Sequence, residues 1–445
     1  MLAGATNWGR SYVRKQRILV LSHNHPRYFP GGGEIAAYNL FKGYREAESV
    51  QATWFLARHD RVNGRGSVQS VEPDEYIWEQ EIDDWLMLRS DLPKHIYTPV
   101  LDLITALEPT ILHAHHYSHI GFDFFCLIRQ MFPKLKIIMT LHEFMAICHH
   151  NGQMIETHDA GLCRSSSLSR CASCFPNFSK EEFWLRKDYI TQVFDKIDTF
   201  VSPSEFLRQR YISWGMDPRK IVTIENLHLF DRAVAARQLA PSERRRVFGY
   251  FGQINPYKGF DVLLDAVGRL PRQLKSEILV RVNGANLDKQ SEQFQRQIMD
   301  RLSQREFGCV EVLGPYKREE LADRMAQVDW VVVPSTWWEN SPMVIQEAFH
   351  HGRPVICTRL GGMAEKVRDG VDGLHFRPSD AADLALVIER AVTEDNLWQR
   401  LVTGIKRPPS MAEIVDLHLS ACKATDATGS PVDRGLATGV QGVER

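Results

Sequence analysis

The stretch Pro334-Ser-Thr-Trp-Trp-Glu-Asn-Ser-Pro-Met-Val-Ile-Gln-Glu347 follows the apolar run Trp330–Val333 and sets Glu339 and Glu347 eight positions apart. The apolar run predicts a buried parallel strand, and Pro342 followed by the amphipathic segment 343–349 predicts the start of a helix. In such a strand-loop-helix unit the free N–H groups of the helix N-terminus attract an anion, typically a phosphate. Glu347 falls about one turn into the helix, placed to accept hydrogen bonds from ribose hydroxyls, whereas Glu339 lies in the loop, nearer a reacting sugar. Asn340, Ser341, Pro342, Met343 and Val344 between them are candidate ligand contacts. Two glutamates alone would more readily be read as solvated surface charges, so the decision rests on the rest of the chain.

Working outward, the strand expected at 247–251 runs into Gly252-Gln-Ile-Asn-Pro-Tyr-Lys-Gly259, a turn-rich loop ending in one cation, Lys258. A lysine there can neutralise a leaving diphosphate, and Gln253 opens the same loop. Gly314 and Tyr316, after the strand expected at 310–313, are candidates for the nucleotide side. The paired glycines of Arg359-Leu-Gly-Gly-Met-Ala-Glu365 allow close backbone approach to a ligand. Near the start, 18–21 reads as a strand and Pro30-Gly-Gly-Gly-Glu34 as a strand-to-helix turn that includes Gly32 and Gly33. This turn lacks the Gly-x-Gly-x-x-Gly dinucleotide fingerprint.

Short apolar strands alternate with amphipathic helical stretches throughout, the pattern of two doubly wound parallel sheets covered by helices. The first half offers strands at 18–21, 52–56, 111–113, 137–140, 199–201 and 221–224; the second at 247–251, 278–282, 310–313, 330–333 and 354–357. Domains are expected at 1–230 and 247–405, joined by a polar linker at 231–246 whose Arg244-Arg-Arg246 reads as a solvated run. Open sheets bind ligands at the carboxyl ends of their strands, which places the site in an interdomain cleft. Residues 425–445, small and polar, read as a disordered tail.

Taken in order, the glycine loop at 31–33, Thr140-Leu-His-Glu143, Val201-Ser-Pro-Ser204, the loop 252–259, the Glu339/Glu347 pair and Gly361-Gly362 resemble the retaining glycosyltransferases of family four, of the two-domain GT-B fold. The resemblance spans residues 17 to 424. It implies that Glu339 contacts the donor sugar, Glu347 the ribose and Lys258 the diphosphate of a UDP- or GDP-linked sugar. It also implies that His142, at the end of the strand 137–140, hydrogen-bonds the sugar near its reacting carbon, and that a last helix, 411–424, crosses back to the first domain. The family commonly has arginine where this chain has Gln253, which throws phosphate neutralisation onto Lys258 and helix N-termini. No metal is implied for catalysis, and no Asp-x-Asp motif stands out. The implied acceptor is a glycan or lipid-linked hydroxyl, in cell-surface polysaccharide or lipopolysaccharide synthesis. A phosphorylase, an epimerase or a non-catalytic scaffold on the same fold are the alternatives.

Cys148, Cys163, Cys171 and Cys174 cluster in one polar, loop-like insert at about 148–174. Four thiolates can close a tetrahedral zinc site, with an iron–sulfur cluster or reduced thiols as other readings. The remaining cysteines, Cys126, Cys309, Cys357 and Cys422, read as small core residues. His23, His25, His113, His115, His116 and His119 read as core or cleft lining. A formal net charge of -1 argues against a nucleic-acid partner. No apolar run approaches the roughly 20 residues of a membrane span, and residues 1–16 lack a signal-peptide core, so a cytoplasmic protein is expected. Aromatic and basic residues between 175 and 189 could rest on a membrane surface, although a helix packed on its own domain is the stronger reading.

Overall fold

A computed structural model describes residues 15–60, 64–90, 94–230, 232–239 and 243–423. The stretch expected to be a disordered tail lies outside these residues, as do residue 231 and residues 240–242 of the expected linker.

The chain folds as two parallel sheets, each covered by helices, the GT-B arrangement. The first contains β1 (Gln16–Ser22), β2 (Val50–His59), β3 (Val68–Glu72), β4 (Glu75–Glu79), β5 (Ile111–His115), β6 (Lys136–Thr140), β7 (Thr199–Ser202) and β8 (Ile221–Thr223). Their order is β3-β4-β2-β1-β5-β6-β7-β8, and only the β3/β4 pair is antiparallel. The second contains β9 (Val247–Gln253), β10 (Leu279–Ala285), β11 (Val310–Val312), β12 (Trp330–Val333), β13 (Val355–Thr358) and β14 (Gly373–Phe376), in the order β11-β10-β9-β12-β13-β14. β3, β4 and β14 were not foreseen: β3 is half exposed and polar, so it has no apolar run to read.

Strand order reverses at β1/β5 in the first sheet and at β9/β12 in the second. At such switch points the loops leaving two neighbouring strands part in opposite directions and open a crevice. The loops that leave those strands are 23–31, 116–121, 254–259 and 334–342, so the topology alone decides which segments can face a ligand.

The helix Met411–Lys423 buries Ile414, Val415, Leu419 and Cys422 in the same cluster as Ile18, Val20 and Phe41 of the first sheet and its first helix. Gly43 of that helix lets it approach, because an added Cβ would stand 2.7 Å from a Val415 methyl. Of the run Arg244-Arg-Arg246, Arg244 is exposed as expected, but the other two are partly buried in ion pairs. Arg245 joins Arg237 on the fully buried carboxylate of Asp329, with its guanidinium over Trp398, while Arg246 pairs with Glu277 at 3.0 Å. A buried carboxylate requires such partners, and no charge pattern in the sequence reveals Asp329 as their target.

Candidate functional site

The loops after β9 and β12 are zipped together by backbone contacts. Thr336 N–H donates to the Tyr257 carbonyl at 2.9 Å, and Gly259, at φ +68°, brings its Cα so close to the Pro334 carbonyl that a Cβ would stand 1.9 Å from it. Only glycine fits there. The result is that Lys258 Nζ meets Glu339 Oε1 at 2.6 Å. The same oxygen accepts from Ser335 Oγ and from Trp337 Nε1, each at 2.9 Å. Burial pushes the Glu339 carboxyl up, but the Lys258 cation and these three donors outweigh it and hold the group below its ordinary value. Glu339, only 8% exposed, is therefore a fixed carboxylate.

The helix Met343–His350 begins after Pro342 with no side-chain cap, so its first-turn N–H groups keep their capacity for an anion. Gly362 clamps the preceding turn: its N–H donates to the Glu339 carbonyl at 2.7 Å, and a Cβ would collide with the Asn340 carbonyl at 1.7 Å. Glu347 lies farther along the helix, 3.4 Å from His228 Nε2. Burial raises its carboxyl to about 7, with Arg318 opposing, and lowers the His228 imidazole to about 3, so at neutral pH the pair is not a fixed ion pair. Gly314 stands in open space at φ +76°, and Tyr316 packs edge-on to Phe251. Gln253 is exposed at the end of β9, taking a 3.3 Å hydrogen bond from Asn255.

Histidines line the first domain's side. His142, directly after β6, contacts His115 Nδ1 through Nε2 at 3.1 Å, and the ring lies against Gly33. Burial, reinforced by the nearby His23, lowers His142 to about 4, so it is a neutral imidazole. His116 Nδ1 accepts the backbone N–H groups of Tyr117 and Ser118, which leaves the proton on Nε2, 3.3 Å from Glu143 Oε1. Burial raises the Glu143 carboxyl to about 8. His23 Nε2 pairs with Glu34 at 3.0 Å.

The two domains meet at the middle of this assembly. Asn340 Nδ2 donates to the His142 carbonyl, Ser341 Oγ to Glu225 at 2.6 Å, and Gly32 lies beside the Met343 sulfur. Glu365 accepts the backbone N–H groups of Glu205 and Phe206, at 2.9 and 2.7 Å. Thus His142, Glu339, Lys258, Gly32, Gly33 and the 340–344 segment come together, whereas Gln253, Gly314 and Tyr316 flank the second sheet. Sequence reading missed Ser335, Trp337, His228 and Glu225. Ser335 and Trp337 lie inside the quoted stretch and carried a signal in their donors; His228 and Glu225 are brought in only by the domain crossing.

Residues 231–407 match the family described as Glycosyl transferases group 1, and residues 30–227 match Glycosyltransferase Family 4. The chain belongs to this glycosyltransferase family. Among curated relatives, the D-inositol 3-phosphate glycosyltransferase of a Nocardioides species is 30% identical over 229 residues, 48% of this chain and 50% of that protein. The lipopolysaccharide 1,2-N-acetylglucosaminetransferase of Salmonella typhimurium is 30% identical over 167 residues, 37% and 43% of the two chains. The chain thus spans about half the length of the curated relatives it matches. Anabaena Alr3699/HepE, crystallised with UDP and glucose, aligns with a TM-score of 0.58 at 16% identity, over 92% of this chain and 98% of that one; this likeness shows the fold.

Proposed function

We propose that the protein transfers a glycosyl group from a nucleoside diphosphate sugar, UDP- or GDP-linked, to a hydroxyl of a glycan or lipid-linked acceptor, with retention at the anomeric carbon. The observation that carries this reading is the Lys258–Glu339 pair at 2.6 Å, set at the switch point of the second sheet beside an uncapped helix N-terminus. In the reaction the bond from the anomeric carbon to the diphosphate oxygen breaks as the acceptor oxygen bonds the same carbon, and the acceptor proton passes to the departing diphosphate. The developing charge is what Lys258 and the helix N–H groups stabilise. Glu339, a carboxylate at neutral pH, accepts hydrogen bonds from sugar hydroxyls, and Glu347 from the ribose. His142, neutral, offers its ring to the sugar. No protein-bound metal takes part in this scheme.

The names of the relatives, an inositol phosphate and a lipopolysaccharide transferase, support a polyhydroxyl acceptor at the first domain's crevice and a role in cell-surface polysaccharide synthesis. Among the described residues no helix is long and apolar enough to cross a membrane. The helix Lys180–Phe194 packs Ile190, Val193 and Phe194 into the first domain's core, and its outward Trp184 and Leu185, 54% and 49% exposed beside the exposed Lys180 and Lys187, are the residues that would support a peripheral membrane contact.

The test is calorimetric titration with UDP and GDP, alongside Lys258→Ala. One nucleotide should bind in the micromolar range, and the variant should lose at least about tenfold, or ~1.4 kcal/mol. Binding of neither would refute the donor site. Products then separate the activities: a free sugar phosphate marks a phosphorylase, and an altered sugar on the intact nucleotide marks an epimerase.

A further inference from the structure

The insert between β6 and the helix Lys180–Phe194 carries four of the eight cysteines, and all eight are free thiols. Three separate segments deliver them. Cys148 closes a turn on the Phe144 carbonyl, Cys163 leaves the small Ile155/Leu162 bridge, and Cys171 and Cys174 lie one turn apart on the helix Leu168–Cys174. All four line one small cavity of about 20 Å³, whose other walls are apolar side chains such as Met154 and Phe183 together with His149, His150 and Arg170. Apolar packing alone gives no reason for four thiols from three segments to converge there, since a small hydrophobe would fill each position as well.

A second observation points the same way. Arg186, on the adjoining helix, is 3% exposed, and its Nη groups donate only to the Met145 and Ala146 carbonyls. Its Nε has no partner, and the carboxyl that feels its charge, Glu143, is itself raised to about 8 by burial and so is largely protonated at neutral pH. A buried cation without a counter-charge is costly, and a divalent ion held by four thiolates carries the net negative charge that Arg186 lacks.

We propose that Cys148, Cys163, Cys171 and Cys174 form a structural, tetrahedral site for a soft divalent cation, zinc, which fastens the insert under the loop that carries His142. Each thiol releases a proton to solvent as its sulfur bonds the ion, with no change of oxidation state. Four protein ligands leave no open coordination position, so the ion holds structure and does not act on substrate. The four sulfurs do not already lie within 4.8 Å of one another, so ligation must draw them together; among the described residues, the ligand atoms gathered that closely are those of Glu156, His158 and Asp159. That trio is explained by its own ion pairs, with His158 at 3.1 and 3.7 Å from the two carboxylates. The site stands independently of the transferase reading.

The full chain, purified under reducing conditions without chelator, is assayed for metal by plasma mass spectrometry. One zinc per chain is expected, falling to a small fraction in Cys171→Ser and unchanged in Cys126→Ser and His158→Ala. Because Cys171→Ser could fail to fold, metal-free wild type is also titrated with Co2+. A thiolate-to-cobalt charge-transfer band that saturates at one equivalent supports the site. Absence of both zinc and that band overturns it, as does a disulfide among the four cysteines. Metal that is lost in His158→Ala but kept in Cys171→Ser would put the ion on the exposed trio, and iron with acid-labile sulfide would replace zinc by a cluster; either result also overturns the assignment.

Discussion

Replacing Lys258 by Met removes the cation from a pair whose partner cannot follow it into water. Lys258 is 29% exposed at its side chain and Glu339 10%, with 2.6 Å between the charged atoms. Breaking a buried pair costs about 3–5 kcal/mol and an exposed one about 0–1 kcal/mol. The part-exposed lysine places this pair between the two limits, at about 2 kcal/mol. Ser335 and Trp337 still donate to Glu339 in the variant, which keeps the loss off the upper limit. A cycle of Lys258→Met, Glu339→Gln and the double variant, followed by urea unfolding, should give a coupling energy of about 1–2 kcal/mol. The pH dependence adds a second constraint. Burial raises the Glu339 carboxyl and Lys258 with the hydrogen bonds lowers it further, to a net value below the ordinary one. A carboxyl lowered on folding contributes stability above its unfolded value and loses it as pH falls through the lower folded value. Without Lys258, the largest lowering influence is gone and the carboxyl rises, so the variant's penalty should shrink as pH falls from neutral towards the ordinary carboxylate range and the stranded group takes up a proton. A coupling energy near zero with a penalty that does not change with pH would refute the reasoning and reduce the contact to an ordinary surface pair.

Glu347 has the opposite sign. Its carboxyl, raised on folding to about 7 by burial, binds its proton more tightly in the folded chain. It should therefore cost stability as pH rises from about 5 to about 8, by at most about 3 kcal/mol, and Glu347→Gln should flatten that slope in denaturant titrations. Gly259→Ala forces a Cβ onto the Pro334 carbonyl at positive φ; it should destabilise the chain by about 1–3 kcal/mol and weaken nucleotide binding in calorimetry. Val415→Asp places a charge where the residue is 3% exposed, and should detach the helix Met411–Lys423, lowering stability by more than about 3 kcal/mol and speeding limited proteolysis at that helix.

Most of the sheet framework was legible because parallel strands buried on both faces appear as bare apolar runs, as at Trp330–Val333 and Val355–Thr358, each fully buried. The β3/β4 hairpin escaped because β3 is polar and half exposed at the sheet edge, and β4 holds only three apolar residues between two glutamates. At the site, Lys258 and Glu339 were legible as separate residues; that they bind one another was not. Their contact depends on Gly259 pressing against Pro334, a relation between two loops 75 positions apart in numbering. Likewise, Arg245 looked like solvent-facing charge because its anchor, Asp329, stands next to an apolar strand with no sign of its partners.

The segment 339–341 is the point where charge and domain geometry are joined. Glu339 holds the cation of the second domain, Asn340 reaches the His142 carbonyl of the first, and Ser341 reaches Glu225. Lys366 pairs with the same Glu225, and the neighbouring Glu365 takes two N–H groups at the start of the helix Glu205–Trp214. These polar ties stand beside an apolar one, because Trp338 of the same loop stacks on Phe206 of the first domain with ring centroids 5.4 Å apart and packs against that domain's core. A ligand that draws Glu339 off Lys258 would shift the loop carrying Asn340 and Ser341. Occupancy of the crevice is therefore expected to act on the approach of the two domains through these three consecutive side chains.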